Sequence, residues 1–183
     1  MAVIQLGERP PEQRKILGLA PFALGFRPFF SLAALSGAIL LGLWLAIWFG
    51  LLSSPAYYGL IGWHSHEMLF GYTTAVISGF LLTAVRNWTG IDTLIGRPLA
   101  GLSLVWLLGR LAPFFGFLPG PVVALLDLAF LTLLIAALYP PLMQAENRSN
   151  RVFLPLLGVM AIANLLVHLQ ALNILQGADQ GNE

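Results

Sequence analysis

Apolar residues in this chain do not alternate with polar ones; they run together. Five long apolar stretches stand out, roughly Phe29–Leu52, His64–Val85, Leu99–Leu118, Pro121–Met143 and Val152–Gln176. Each approaches or exceeds the ~20 residues that a helix needs to cross a bilayer. Between them lie connectors with turn chemistry: Ser53-Ser54-Pro55, the polar run Arg86–Pro98, Pro119-Gly120-Pro121 and Gln144–Arg151. In lipid, an unpaired backbone N–H or C=O costs several kcal/mol, so each span has to be helical. The pattern predicts an all-α fold, a polytopic transmembrane helical bundle of about five spans. Residues 29–176 form its single transmembrane helical domain, residues 1–28 an N-terminal arm, and residues 177–183 a short polar C-terminal tail. Pro21 interrupts the apolar run in the arm and no small-residue cleavage site follows, so the arm is expected to lead into an uncleaved helix.

Composition agrees. Charged residues make up 9% of the chain and hydrophobic residues 58%, against about 25% charged in an ordinary soluble domain. The net charge of +1 gives no basis for nucleic-acid binding. There are no cysteines, which excludes disulfides, iron–sulfur clusters and thiolate metal sites. Any bound metal must be held by His, Met, carboxylate or backbone groups.

The basic residues set an orientation. Arg9, Arg14, Lys15, Arg27, Arg86, Arg97, Arg148 and Arg151 fall on one side of the predicted spans and only Arg110 falls toward the other. The positive-inside rule then places the N-terminus in the cytoplasm and the C-terminus outside. Membrane lipid is the surrounding partner.

Ionisable groups inside spans are costly and need a reason. His64, His66 and Glu67 open the second span beside Met68, Arg110 lies near the outer end of the third, the fourth holds Asp127, and the fifth holds Asn164 and His168. Asp127 falls roughly 9 Å below the outer surface and His168 roughly 12 Å, at 1.5 Å per residue. All three histidines and both intramembrane acids therefore belong to the outer half of the bundle. At 100° per residue, His64 shares a face with Glu67, Met68, Gly71, Ala75 and Gly79, a small-residue seam suited to close helix packing. On that reckoning His66 points about 200° away, toward Phe70, while Asn164 and His168 share one face of the fifth span.

Two chemistries fit these residues. A b-type haem takes imidazole ligands in an apolar slot, which His168 and a histidine of the second span would supply. A second metal such as copper would suit the remaining histidine with Met68. Glu67 or Asp127 would orient a ligand imidazole. Against these stand plainer readings: interfacial histidines beside Trp63, a core His168 bonded to Asn164, and an Asp127–Arg110 ion pair.

Several ordered motifs carry a family resemblance. Arg27-Pro28-Phe29-Phe30, Trp63-His64-Ser65-His66-Glu67-Met68-Leu69-Phe70-Gly71, Gly79–Val85 with Asn87-Trp88-Thr89-Gly90, Leu107-Leu108-Gly109-Arg110 and Asn164–Leu169 resemble motifs of the NnrS family. The resemblance implies a multi-pass protein of the bacterial inner membrane that binds haem and copper and is linked to denitrification and nitrosative stress, with nitric oxide as a ligand. It also implies His64, His66 and His168 as haem or copper ligands, with Glu67 and Met68 as close support; the placement of the residues themselves adds Met68 as a further metal ligand and Asp127, Asn164 and Arg110 as support. Members of that family are not established enzymes. They are longer, so the chain corresponds to their N-terminal half, with a homodimer or a separate second-half partner as the expected assembly. The competing expectations are a cofactor-free transport or channel component and a structural subunit of a larger membrane complex.

Overall fold

The computed structural model describes residues 21–144 and 148–173; residues 1–20 of the predicted arm and the whole of the predicted 177–183 tail lie outside them. The described residues form helices α1 (Phe26–Trp48), α2 (Gly59–Thr89), α3 (Gly96–Leu111), α4 (Gly120–Gln144) and α5 (Phe153–Ala171), with 3-10 turns at Ala112–Phe114 and Arg148–Val152. Among the described residues there is no strand.

Proline decides where most of these helices begin. Pro28, Pro98, Pro121 and Pro155 sit in the first turns of α1, α3, α4 and α5, where the backbone N–H has no intrahelical acceptor and its loss costs nothing. Helix α2 stops at Gly90, whose φ of 69° is left-handed and whose N–H donates to the Arg86 carbonyl at 2.9 Å. The last carbonyls of α4 are covered by Arg151, which donates to Leu142 O and Met143 O at 3.3 and 2.8 Å.

Among the described residues, four segments are long and apolar enough to cross a membrane: α1, α2, α4 and the stretch Arg148–Ala171 that contains α5. The third predicted span is corrected. It ends at Leu111 rather than Leu118, because Pro113 lacks the N–H that another α-helical turn requires. At 16 residues α3 rises about 24 Å, less than the ~30 Å hydrocarbon core. The second span is corrected too. It starts at Gly59, so His64, His66 and Glu67 lie one to two turns inside the helix rather than in its first turn.

Short connections make sequential neighbours antiparallel. The Phe26 N–H donates to Thr83 Oγ1 at one end of the α1/α2 pair, and Trp44 stacks on His64 at the other. Trp88 stacks on Phe153 at one end of α2 and α5, while His66 meets Asn164 at the opposite end. The starts of α2 and α4 therefore share one end of the bundle with the last turns of α1, α3 and α5. The rest of the core is apolar, with Leu81, Leu82, Leu99, Leu134, Leu138 and Leu142 buried. There the buried hydroxyls of Thr74, Ser78, Thr93 and Ser103 bond to backbone carbonyls. Outward faces carry Leu35, Leu125, Val159 and Ile162, each at least 60% exposed, an exterior as apolar as lipid requires. The chain is a helical membrane protein.

Candidate functional site

The cluster begins with an irregular helix. Over Glu67–Tyr72, α2 winds as a π-helix, a wide turn that lets more residues face one side and loosens the carbonyl ladder. The loosened carbonyls find side-chain donors. Thr73 Oγ1 donates to Met68 O at 2.8 Å, Thr74 Oγ1 to Phe70 O at 2.5 Å, and the Trp106 indole N–H of α3 to Gly71 O at 3.1 Å.

That wide turn changes which histidine faces inward. His66 and Glu67 are both buried, at 2% and 1% exposure, and adjacent, with His66 Nδ1 3.4 Å from Glu67 Oε1. The regular-helix reckoning, which paired His64 with Glu67 and sent His66 away, is corrected. His64 is half-buried on the α1 side, stacked on Trp44 at 4.6 Å between ring centres, and its buried Nδ1 has no hydrogen-bond partner. Met68 is half-buried against Leu40, Ile47 and Trp63.

Four other predicted residues join His66 and Glu67. Arg110, at the end of α3, pairs with Glu67 Oε2 at 3.3 Å through Nη1 and with Asp127 Oδ1 through Nη2, and its guanidinium lies 5.8 Å from the centre of the Trp106 ring. The other oxygen, Asp127 Oδ2, accepts from the Asn164 amide at 2.7 Å and lies 3.0 Å from His168 Nε2 and 3.3 Å from His66 Nε2. Asn164 Oδ1 is 3.0 Å from His66 Nε2. The predicted Asp127–Arg110 pair and the shared face of Asn164 and His168 are both present.

Two glycines make room for this. A Cβ on Gly71 would sit 2.7 Å from both Arg110 Nη1 and Glu67 Oε2, and one on Gly109 would sit 3.1 Å from the Asp127 Cα. The small-residue seam of α2 thus serves the ion pair as well as helix packing.

Two residues absent from the sequence reading complete the cluster. Tyr57 Oη lies 3.0 Å from His168 Nδ1. Tyr58 stacks on His66 at 4.5 Å and brings its Oη within 3.2 Å of His66 Nε2 and 3.5 Å of His168 Nε2. Burial pushes the Tyr57 phenol up to about 12 and raises that of Tyr58 as well, so both are neutral hydroxyls at physiological pH. Their signal in the sequence was a pair of adjacent tyrosines immediately before α2.

Formally, two carboxylates and one guanidinium leave one negative charge facing two imidazoles in a buried site. An imidazolium on one of the two histidines or a bound cation balances that charge. His66, Asp127 and His168 each offer one ligand atom, all within 4.8 Å of one another. Metal bonds of about 2.0–2.1 Å to a tetrahedral ion place donors about 3.3 Å apart; the imidazole–carboxylate separations are 3.0 and 3.3 Å. Glu67 behind His66 Nδ1 and Tyr57 behind His168 Nδ1 are the outer partners that fix a ligand imidazole. The set fits a bare first-row ion. A haem held between His66 and His168 does not fit, because both Nε2 atoms converge on one carboxylate oxygen and Tyr58 covers the His66 ring, which leaves no slot for a macrocycle.

No curated protein and no solved structure gives a match to this sequence. Residues 20–182 match the family described as NnrS protein, a span that includes every residue of the cluster. The chain therefore belongs to the NnrS family.

Proposed function

We propose that this chain is a metal-binding protein of the bacterial inner membrane, acting in the nitric oxide and nitrosative-stress response to which its family is linked. Its ion is held by His66, Asp127 and His168. The observation that carries this reading is the convergence of two imidazoles and one carboxylate in a buried cluster. Copper is the metal that the family implies, and an imidazole–carboxylate set suits its divalent form. Met68 belongs to a separate apolar cluster and stays outside the ligand set.

An ion bound there supplies a Lewis-acidic centre for a small ligand such as nitric oxide. The chain's own residues prepare the site: Arg110 holds Asp127 by Oδ1 so that Oδ2 faces the imidazoles, Asn164 fixes that oxygen, and Glu67 orients His66. Haem, the other group implied by the family, would have only His64 available to it, since the other two imidazoles are engaged with each other's partners. A transport route is poorly supported, because the core beyond the cluster is apolar and its hydroxyls are bonded to backbone.

The test is metal analysis and Cu(II) titration of detergent-purified protein. One equivalent bound in wild type and none in His66→Ala or His168→Ala is the expected result. A folded, monodisperse wild type that binds no copper, zinc or iron overturns the reading.

A further inference from the structure

Three donors leave a tetrahedral ion one position short, and a phenol oxygen stands beside them. Tyr58 Oη lies 3.2 Å from His66 Nε2 and 3.5 Å from His168 Nε2, on the same two atoms that lie 3.3 and 3.0 Å from Asp127 Oδ2. All four separations bracket the ~3.3 Å expected between donors around one ion with bonds of about 2.0–2.1 Å. We propose that Tyr58 is the fourth ligand, completing a two-imidazole, carboxylate and phenol set for a divalent first-row ion; this rests on the metal reading above.

Neighbouring residues argue for Tyr58 over Tyr57. Tyr57 Oη contacts His168 through Nδ1, the nitrogen on the far side of the ring from Asp127, so it lies behind the imidazole. Tyr58 instead reaches His66 Nε2 at 3.2 Å and lies near both ring nitrogens of His168, 3.4 Å from Nδ1 and 3.5 Å from Nε2, so it alone of the two tyrosines meets both histidines. The ring of Tyr58 is fixed by stacking on His66 at 4.5 Å with 22° between planes, and it meets Tyr57 edge-on at 4.6 Å. Beside both tyrosines is a cavity of about 390 Å³, lined by Gly59, Gly62, Val167 and Gln170 as well. On coordination the phenol O–H breaks, the oxygen binds the ion and the proton leaves to water through that cavity.

The experiment is Cu(II) titration of detergent-purified protein, followed by calorimetry and visible absorption, with resonance Raman on the loaded wild type. Wild type should bind one equivalent and show a phenol-to-copper charge-transfer band with tyrosine ring modes enhanced under it. Tyr58→Phe should still bind one equivalent, about tenfold or more weakly, without the band. Tyr57→Phe should keep the band. Copper bound by wild type without the band, or a band that survives in Tyr58→Phe or vanishes in Tyr57→Phe, overturns the assignment of Tyr58 and leaves the metal site standing. The Raman measurement needs no variant, so a Tyr58→Phe protein that fails to fold does not protect the proposal. A wild type that binds no copper, zinc or iron overturns both.

Discussion

Asp127 divides its carboxylate between two tasks: Oδ1 is paired with the Arg110 guanidinium of the neighbouring helix, and Oδ2 is left facing the imidazoles. Arg110 is buried, and its other nitrogen is paired with Glu67. Removing it strands two buried acids. Arg110→Met is expected to destabilise the bundle by about 3–5 kcal/mol, read by unfolding in mixed micelles. Adding Glu67→Gln should recover part of that loss, and a double variant no more stable than the single one would show that the pair is not coupled.

Gly71 is the point at which α2 lets Arg110 and Glu67 meet, since a Cβ there would lie 2.7 Å from an atom of each. Gly71→Ala should cost about 1–3 kcal/mol. Gly101→Ala, whose added Cβ has nothing within 4 Å, should be neutral or stabilising by up to about 1 kcal/mol through helix propensity. Thermal unfolding of both variants decides; equal midpoints would mean that the close approach at Gly71 is not limiting.

Asn164 donates to Asp127 Oδ2 without being one of the three converging ligands. Asn164→Ala should therefore keep one equivalent of ion and weaken its binding about 10–100-fold, the usual effect of losing an outer partner. Calorimetric titration measures it. Unchanged affinity would remove Asn164 from the site's support.

His64 stands apart from the cluster with an unpartnered Nδ1. If protein from haem-replete cells carries b-type haem, His64→Ala should lose it while His66→Ala and His168→Ala retain it. The pyridine haemochrome of each variant distinguishes these cases. Loss in His168→Ala alone would place the haem where the described geometry leaves no room for it.

Much of this was legible in the sequence, for a physical reason. Apolar runs force helices in lipid, short connectors force antiparallel neighbours, and two such constraints put Glu67, Arg110, Asp127, Asn164 and His168 at one level before any contact was known. The rest depended on local departures from regularity. The π-helical turn at Glu67–Tyr72 shifts the phase of α2, so a count at 100° per residue back from Gly71 turns His64 inward and His66 outward, the reverse of what is found. Tyr57 and Tyr58 were missed because they lie in the connector before α2, where no periodicity shows that their hydroxyls turn back toward His168 and His66. Pro113 did mark the end of α3, but the apolar run through Phe114–Leu118 masked it.

The polar cluster lies at one end of the bundle, and beyond it the core is closed by leucines. The cluster therefore does not continue as a polar path along the bundle. On the metal reading proposed above, an ion would exchange with the compartment at the cluster's own end of the bundle.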